Sequence, residues 1–261
     1  MLYRVDYTLA VLIVGFLAGV LLSRRTAGIG RASLGRFYYL VIAALLVLRT
    51  ALFAWSMAGH PASGWNMVGG ATGDLTGFLF GALFGLAMRR HDSRLFLTDS
   101  SVLGALSMSL AFTFVLAALG KAFSTAPMTE FFTQSGYSTG FLRFIVIAEG
   151  FGALGLLLPW AVVPALLGLT ADMFGAVLTH IHNGDPLNDS TGAISLLIRM
   201  IGFGILWTLR PRENQAPPAV RSSVLRVMGA TVLCLLVARA GSIMERHEGP
   251  APASGISPSR K

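Results

Sequence analysis

Four ionisable residues, Arg49, Glu149, Asp172 and Arg199, stand deep inside long apolar runs. A charge alone in hydrocarbon costs at least a few kcal/mol, so each needs a partner or a task. At a helical rise of about 1.5 Å per residue, Arg49, Glu149 and Arg199 fall roughly 12 Å below one membrane surface, and Asp172 about 15 Å. Two acids and two bases at one level can neutralise one another in low dielectric. Two chemistries follow. One is a buried ion-pair network that pins helix register. The other is a polar or proton-bearing pocket open to the near face.

Small residues accompany these charges at helical spacing. Gly168, Asp172, Gly175 and Thr179 form one stripe, and Gly192, Ser195, Arg199 and Gly202 another. Glu149 stands with Gly152. Small-residue faces point into helix bundles, so the spacing predicts that Glu149 and Asp172 pair with Arg199 and Arg49 inside one. Asp74 lies nearer the outer surface and would join from above.

The remaining candidates for chemistry are weaker. The segment "THIHNGDPLNDS" carries His180, His182 and Asp185. Two histidines two residues apart point in nearly opposite directions on a helix and cannot share a metal there, although an extended segment would allow it. No third histidine is close in sequence, and "NGDP" reads as a turn. No metal site is therefore assigned, with His180, His182 and a distant His60 as the fallback ligands. The lone Cys234 excludes an intrachain disulfide and a cysteine metal cluster. No phosphate-binding loop, dinucleotide fingerprint or nucleophile elbow is present, so catalysis by the chain alone is not expected.

The elements that must position the charges are membrane spans. Hydrophobic residues make up 54% of the chain and charged residues 12%, and mean hydropathy is +0.69. Soluble domains carry about twice that charge. Apolar runs near the spanning length of about 20 residues recur at 7–23, 37–57, 69–88, 101–120, 141–158, 161–182, 191–209 and 223–244. The expected class is an all-α, polytopic transmembrane helix bundle of about eight spans.

The net charge of +8 comes from arginines in short links: Arg24, Arg25, Arg31 and Arg36; Arg89, Arg90 and Arg94; Arg210, Arg212 and Arg221. There they set topology, and no nucleic-acid partner is implied. All three links fall on one side, whereas the opposite links carry only Lys121. The positive-inside rule then places the arginines in the cytoplasm and both termini on the periplasmic face of a bacterial inner membrane.

The long link "KAFSTAPMTEFFTQSGYSTG" predicts a short helix, begun near Pro127 and stopped at Gly136. Phe131, Phe132, Tyr137 and Trp65 are expected at the membrane interface. In the third span Gly69, Gly73, Gly77, Gly81 and Gly85 recur every fourth residue. Such a zipper lets a second helix approach backbone to backbone, either within the chain or in a partner.

"AALGKAF", "SGYS", "FLRFIVIAEGFGALGLLLPW" and "MFGAVLTH" together resemble the DoxX-like family over about residues 101–209. The resemblance implies a four-helix membrane core. In it Gly120 and Lys121 close the first helix, and Glu149 leads into the glycine-rich run through Gly152 and Gly155. The chain then divides into a three-span segment 1–100, this core 101–209, a last span within 210–247, and a Pro/Gly/Ser-rich tail 248–261 expected to be disordered. The family takes its name from a membrane subunit of thiosulfate:quinone oxidoreductase, and other members accompany redox enzymes or assist assembly.

The expected role is an accessory or anchor subunit of a redox membrane complex, with quinone as a possible cofactor. Arg199, Arg49 and Glu149 would hydrogen-bond its head group or relay its protons. A structural or assembly subunit without chemistry is the alternative, followed by a small proton-coupled transporter. The expected partners are membrane lipid and other membrane subunits or a second copy of the chain.

Overall fold

The computed structural model describes residues 5–26, 28–57, 62–123, 125–211 and 220–248; the side chains of 5–10, 52–57, 62–74, 125, 187–188 and 246–248 are outside that description. Among these residues ten helices are seen: α1 (Val5–Leu22), α2 (Arg31–Met57), α3 (Ala62–Ala87), α4 (Ser93–Leu97), α5 (Ser100–Phe123), α6 (Thr125–Gln134), α7 (Thr139–Leu157), α8 (Val162–Asn183), α9 (Leu187–Leu209) and α10 (Val220–Glu248). No strand occurs among the described residues. Eight of the helices correspond to the eight apolar runs, and α6 to the predicted short helix. The five-residue α4 was not anticipated.

Among the described residues, six helices are long and apolar enough to cross a membrane: α2, α5, α7, α8, α9 and α10. The apolar stretches of α1 and α3 among the described residues are shorter, Val11–Leu22 and Leu75–Ala87.

The helix ends have local causes. Ser138 caps α7 by accepting a hydrogen bond from the Phe141 N–H at 3.1 Å. Pro159 lies in the break after α7, and Pro164 falls in the first turn of α8, where no N–H donor is required. Gly184 ends α8 at φ +72°, a left-handed backbone that glycine adopts without penalty. Gly136 does the same after α6 at φ +81°.

The core runs between α2, α3, α5, α7, α8 and α9. Ile42, Leu83, Phe96, Val102, Phe114, Leu156, Leu169, Met200 and Phe203 are all but fully enclosed. α5 packs on α2 and α7, α8 on α7 and α9, and α10 lies across α8 and α9. α1 lies along α3.

That α1–α3 contact is backbone to backbone. A Cβ added at Gly81 or Gly85 would strike the carbonyl of Leu12 or Phe16 in α1. One added at Gly15 or Gly19 would strike that of Phe78 or Ala82 in α3. Gly77 belongs to a different contact, beside Arg199 of α9. Gly69 and Gly73 are helical, but their surroundings are outside the described residues. The reciprocal glycines of α1 were not singled out in the sequence, although they too are spaced by four.

The arginine-bearing α1–α2 and α3–α4 links meet at one end. Arg90 forms a two-pronged ion pair with Asp92, at 2.8 and 3.2 Å. It also donates to the Thr26 and Ile29 carbonyls of the α1–α2 link. That guanidinium holds the Asp92 carboxyl below its usual range. At the opposite end, Glu245 of α10 accepts from the Ser138 hydroxyl at 2.6 Å, tying the last helix to the start of α7.

Candidate functional site

The buried acid Glu149 sits midway along α7, on the side facing α5 and α8. Its side chain is 0% exposed. Ser107 of α5 donates to the Leu156 carbonyl, and Leu169 of α8 lies close against Gly152. Both contacts hold α7 between its neighbours.

Its cation is Lys121. The Lys121 ammonium donates to both carboxylate oxygens, at 2.6 and 2.7 Å, and its side chain is 22% exposed. Lys121 occupies the last turn of α5. Its four-carbon stem carries the charge from the helix end down to the carboxylate, which is snorkelling turned inward. The pairing expected from depth alone, Glu149 with Arg199 or Arg49, is not the one formed. Depth fixes only the coordinate along the membrane normal. The choice of neighbours fixes the other two, and α7 adjoins α5 and α8, whereas Arg199 is carried by α9 and Arg49 by α2.

Asp172 of α8 completes the group. It lies within side-chain hydrogen-bonding reach of Glu149 and within Coulomb range of Lys121. Its Oδ2 is buried and has no hydrogen-bond partner among the described residues. The ammonium is hydrogen-bonded to Glu149, Asp172 stands beside that pair, and two carboxyls within reach of each other can pass a single proton between them.

The two arginines stand apart from this triad. The Arg49 guanidinium lies 5.8 Å from the centre of the Phe112 ring of α5, and its Nε has no hydrogen-bond partner among the described residues. Arg199 is buried beside Gly77 of α3 and within Coulomb range of Tyr38 of α2. The stripes expected to face inward do so in part: Thr179, Ser195 and Arg199 are buried, but Gly168 and Gly192 are exposed. Asp74 and Trp65 are helical with side chains outside the description, and His60 lies outside the described residues altogether.

Above the triad, α6 and the turn after it form a polar and aromatic roof. The Tyr137 hydroxyl is 3.0 Å from that of Thr179 in α8, and Asn183 donates to Ser135 at 2.8 Å. Tyr137 stacks on Phe141 with centroids 5.0 Å apart. Tyr137 is thus buried rather than an interface anchor, because its hydroxyl finds a partner inside. His180 is hydrogen-bonded to Asp185 at 2.8 Å and packs on Phe131, while His182 points outward.

Lys121 was legible in the sequence only as a loop cation and as part of the Gly-Lys pair of the resemblance. The signal that could have found it is its place one or two turns above Glu149 on an adjoining helix, with a stem long enough to descend.

Residues 105–203 match the model of the DoxX-like family. This segment runs through α5, α6, α7, α8 and most of α9, and it contains Lys121, Glu149 and Asp172. No curated protein and no solved structure matches the chain.

Proposed function

We propose that this multi-pass membrane protein is an accessory subunit of a quinone-linked redox complex, and that Lys121, Glu149 and Asp172 handle protons for the quinone. The carrying observation is the buried Asp172 Oδ2, left without a partner beside a carboxylate already paired with Lys121. A quinone takes up or gives up two protons with its two electrons, and here the electrons belong to a partner subunit. The donor set suits that ligand, since an ammonium donates to a quinone carbonyl and a carboxyl exchanges its proton. Within the chain, Lys121 orients Glu149, and Asp172 holds or accepts the proton that moves. The chain is not catalytic by itself in this reading.

The same reading has the chain cross a bacterial inner membrane eight times with both termini periplasmic, supported by the meeting of the arginine-bearing α1–α2 and α3–α4 links at one end. Single cysteines in a Cys234→Ser background, labelled on intact cells with an impermeant thiol reagent, test this. Labelling at position 30 but not at 185 overturns the orientation.

The second reading is a structural or assembly subunit packed against a larger membrane partner. It is supported by the Lys121–Glu149 pair, which satisfies both carboxylate oxygens without a third party. Asp172→Asn separates the two. If it leaves co-purification in mild detergent intact and abolishes quinone-linked activity of the complex, the proton role stands. Unchanged activity supports the structural role. If no partner co-purifies, both fall and the proton-coupled transporter takes their place.

A further inference from the structure

Below the triad, on the side away from the roof, α7 and α8 are pressed together. A Cβ added at Gly155 would come within 2.8 Å of the Ala165 Cβ, and one added at Gly152 within 2.7 Å of the Leu169 side chain. A second flank of α8 is open. Gly168 and Gly175 have nothing within 4 Å of the place a Cβ would take. Asp172 stands between them on the same stripe, one turn from each. Gly168 is exposed, and Asp172 and Gly175 are half-buried. α8 is long and apolar enough to cross a membrane, and Asp172 lies near its middle, so open space on this flank is hydrocarbon rather than water.

Glycines on a lipid-facing flank signify nothing alone. What marks this flank is the carboxyl set between them. Glu149 and Lys121 are the charged groups that act on Asp172, and the Lys121 ammonium is engaged with both oxygens of Glu149. The buried Asp172 Oδ2 has no hydrogen-bond partner among the described residues. One ammonium balances one carboxylate. A second negative charge here would be uncompensated in low dielectric, and a proton held between the two carboxyls removes it.

We propose that Asp172 is a proton-bearing carboxyl reached sideways from the bilayer, through the gap between Gly168 and Gly175, and that the ligand of the triad is a lipid-dissolved hydrogen-bond acceptor arriving by this route. The ligand rests on the redox reading; the route can be seen without a quinone or a partner subunit.

The test treats the full chain in nanodiscs with dicyclohexylcarbodiimide, which partitions into lipid, or with a cationic carbodiimide confined to water. A carboxyl O–H adds across one C=N bond: its oxygen bonds to the carbon and its proton goes to a nitrogen. The acyl group then moves from oxygen to nitrogen, and nothing leaves. Tandem mass spectrometry locates the stable adduct. The lipid-soluble reagent should modify Asp172. The water-soluble reagent should modify the exposed Glu130 and Asp189 and leave Asp172 untouched. Helical side chains lean toward the N-terminus, over the residues three and four before them. The side chain of Gly175→Leu should therefore lie across Asp172 and remove most of its labelling. That of Gly168→Leu leans away and should leave most of it. Both enter open space, so both variants should unfold at the wild-type temperature. Three results overturn the route: no adduct at Asp172, an equal adduct from the water-soluble reagent, or full labelling in Gly175→Leu. Decylubiquinone should protect Asp172 from the lipid-soluble reagent. Absence of protection with the labelling pattern intact upholds the route and overturns the quinone reading instead.

Discussion

Where α1 meets α3, backbone lies against backbone; where α7 lies between α5 and α8, side chains that carry charge come together. The first contact is made by deleting side chains. Gly15 and Gly19 on one helix and Gly81 and Gly85 on the other leave room for carbonyl groups to touch, and dispersion over a long, close contact holds the pair. The second contact is made by adding what hydrocarbon excludes. Lys121, Glu149 and Asp172 are tolerated only because each has another in reach. A glycine contact fails when anything is inserted, because backbone cannot swing aside. A charge contact fails when any member is removed, because the others are left alone in low dielectric.

The largest effect should therefore come from inserting bulk between α1 and α3. Gly85→Leu or Gly19→Leu should exceed the ~1–3 kcal/mol usual for overpacking, and exceed the loss of any one charge of the triad, since no side chain can yield. Leu21→Ala, on the exposed face of α1, is the control and should be nearly silent. Thermal unfolding in detergent gives the comparison; equal tolerance at Gly85 and Leu21 would mean that the two helices do not touch.

Next comes the removal of one member of the triad. Glu149→Gln should cost about 3–5 kcal/mol, because the Lys121 ammonium loses its counter-ion. Lys121→Met together with Glu149→Gln should cost much less than the sum. Arg199→Gln with Glu149→Gln should add to within about 0.5 kcal/mol, as sites without a shared partner do. Strong coupling in the Arg199 cycle and none in the Lys121 cycle would restore the pairing expected from depth.

A smaller change is expected at the roof. Tyr137→Phe removes one buried hydroxyl and leaves Thr179 to its bond with the Gly175 carbonyl at 2.9 Å. The cost should be about 1 kcal/mol, seen as faster hydrogen exchange at the α6–α7 turn. No change in exchange would detach the roof from α8.

The smallest effect belongs to the arginine-bearing end. Asp92 ionises below its usual 3.8 because of Arg90. Its contribution is therefore complete above about pH 4 and is lost as pH falls through the lower folded value. Arg90→Gln should cost about 1 kcal/mol at neutral pH, and the difference from wild type should shrink below pH 4. A difference that stays constant into acid would assign Arg90's role to its contacts with the Thr26 and Ile29 carbonyls alone.

Much of this architecture was legible in particular residues. The apolar runs located the eight long helices to within several residues, and "TAPMTEFFTQ" with Gly136 gave α6 and its stop. α2 and α3 begin earlier than expected, at Arg31 and Ala62, because helix-compatible polar residues extend them beyond their apolar runs. The triad was half legible. Glu149 and Asp172 stood out because acids are costly in hydrocarbon. Lys121 did not, because a lysine near a helix end reads as a solvated loop charge unless the direction of its stem is known.

The sequence by itself determined that the chain is a membrane helix bundle, where its long helices run, and which links gather the arginines. These properties depend on hydrophobicity and spacing along the chain, which are local. Tertiary structure alone decided which helices are neighbours, and so which cation answers Glu149 and which helix fills the glycine stripe of α3. A helix rotates and packs as a rigid body. The partner of a buried charge is therefore set by the lateral arrangement of whole helices, a quantity that no local spacing contains.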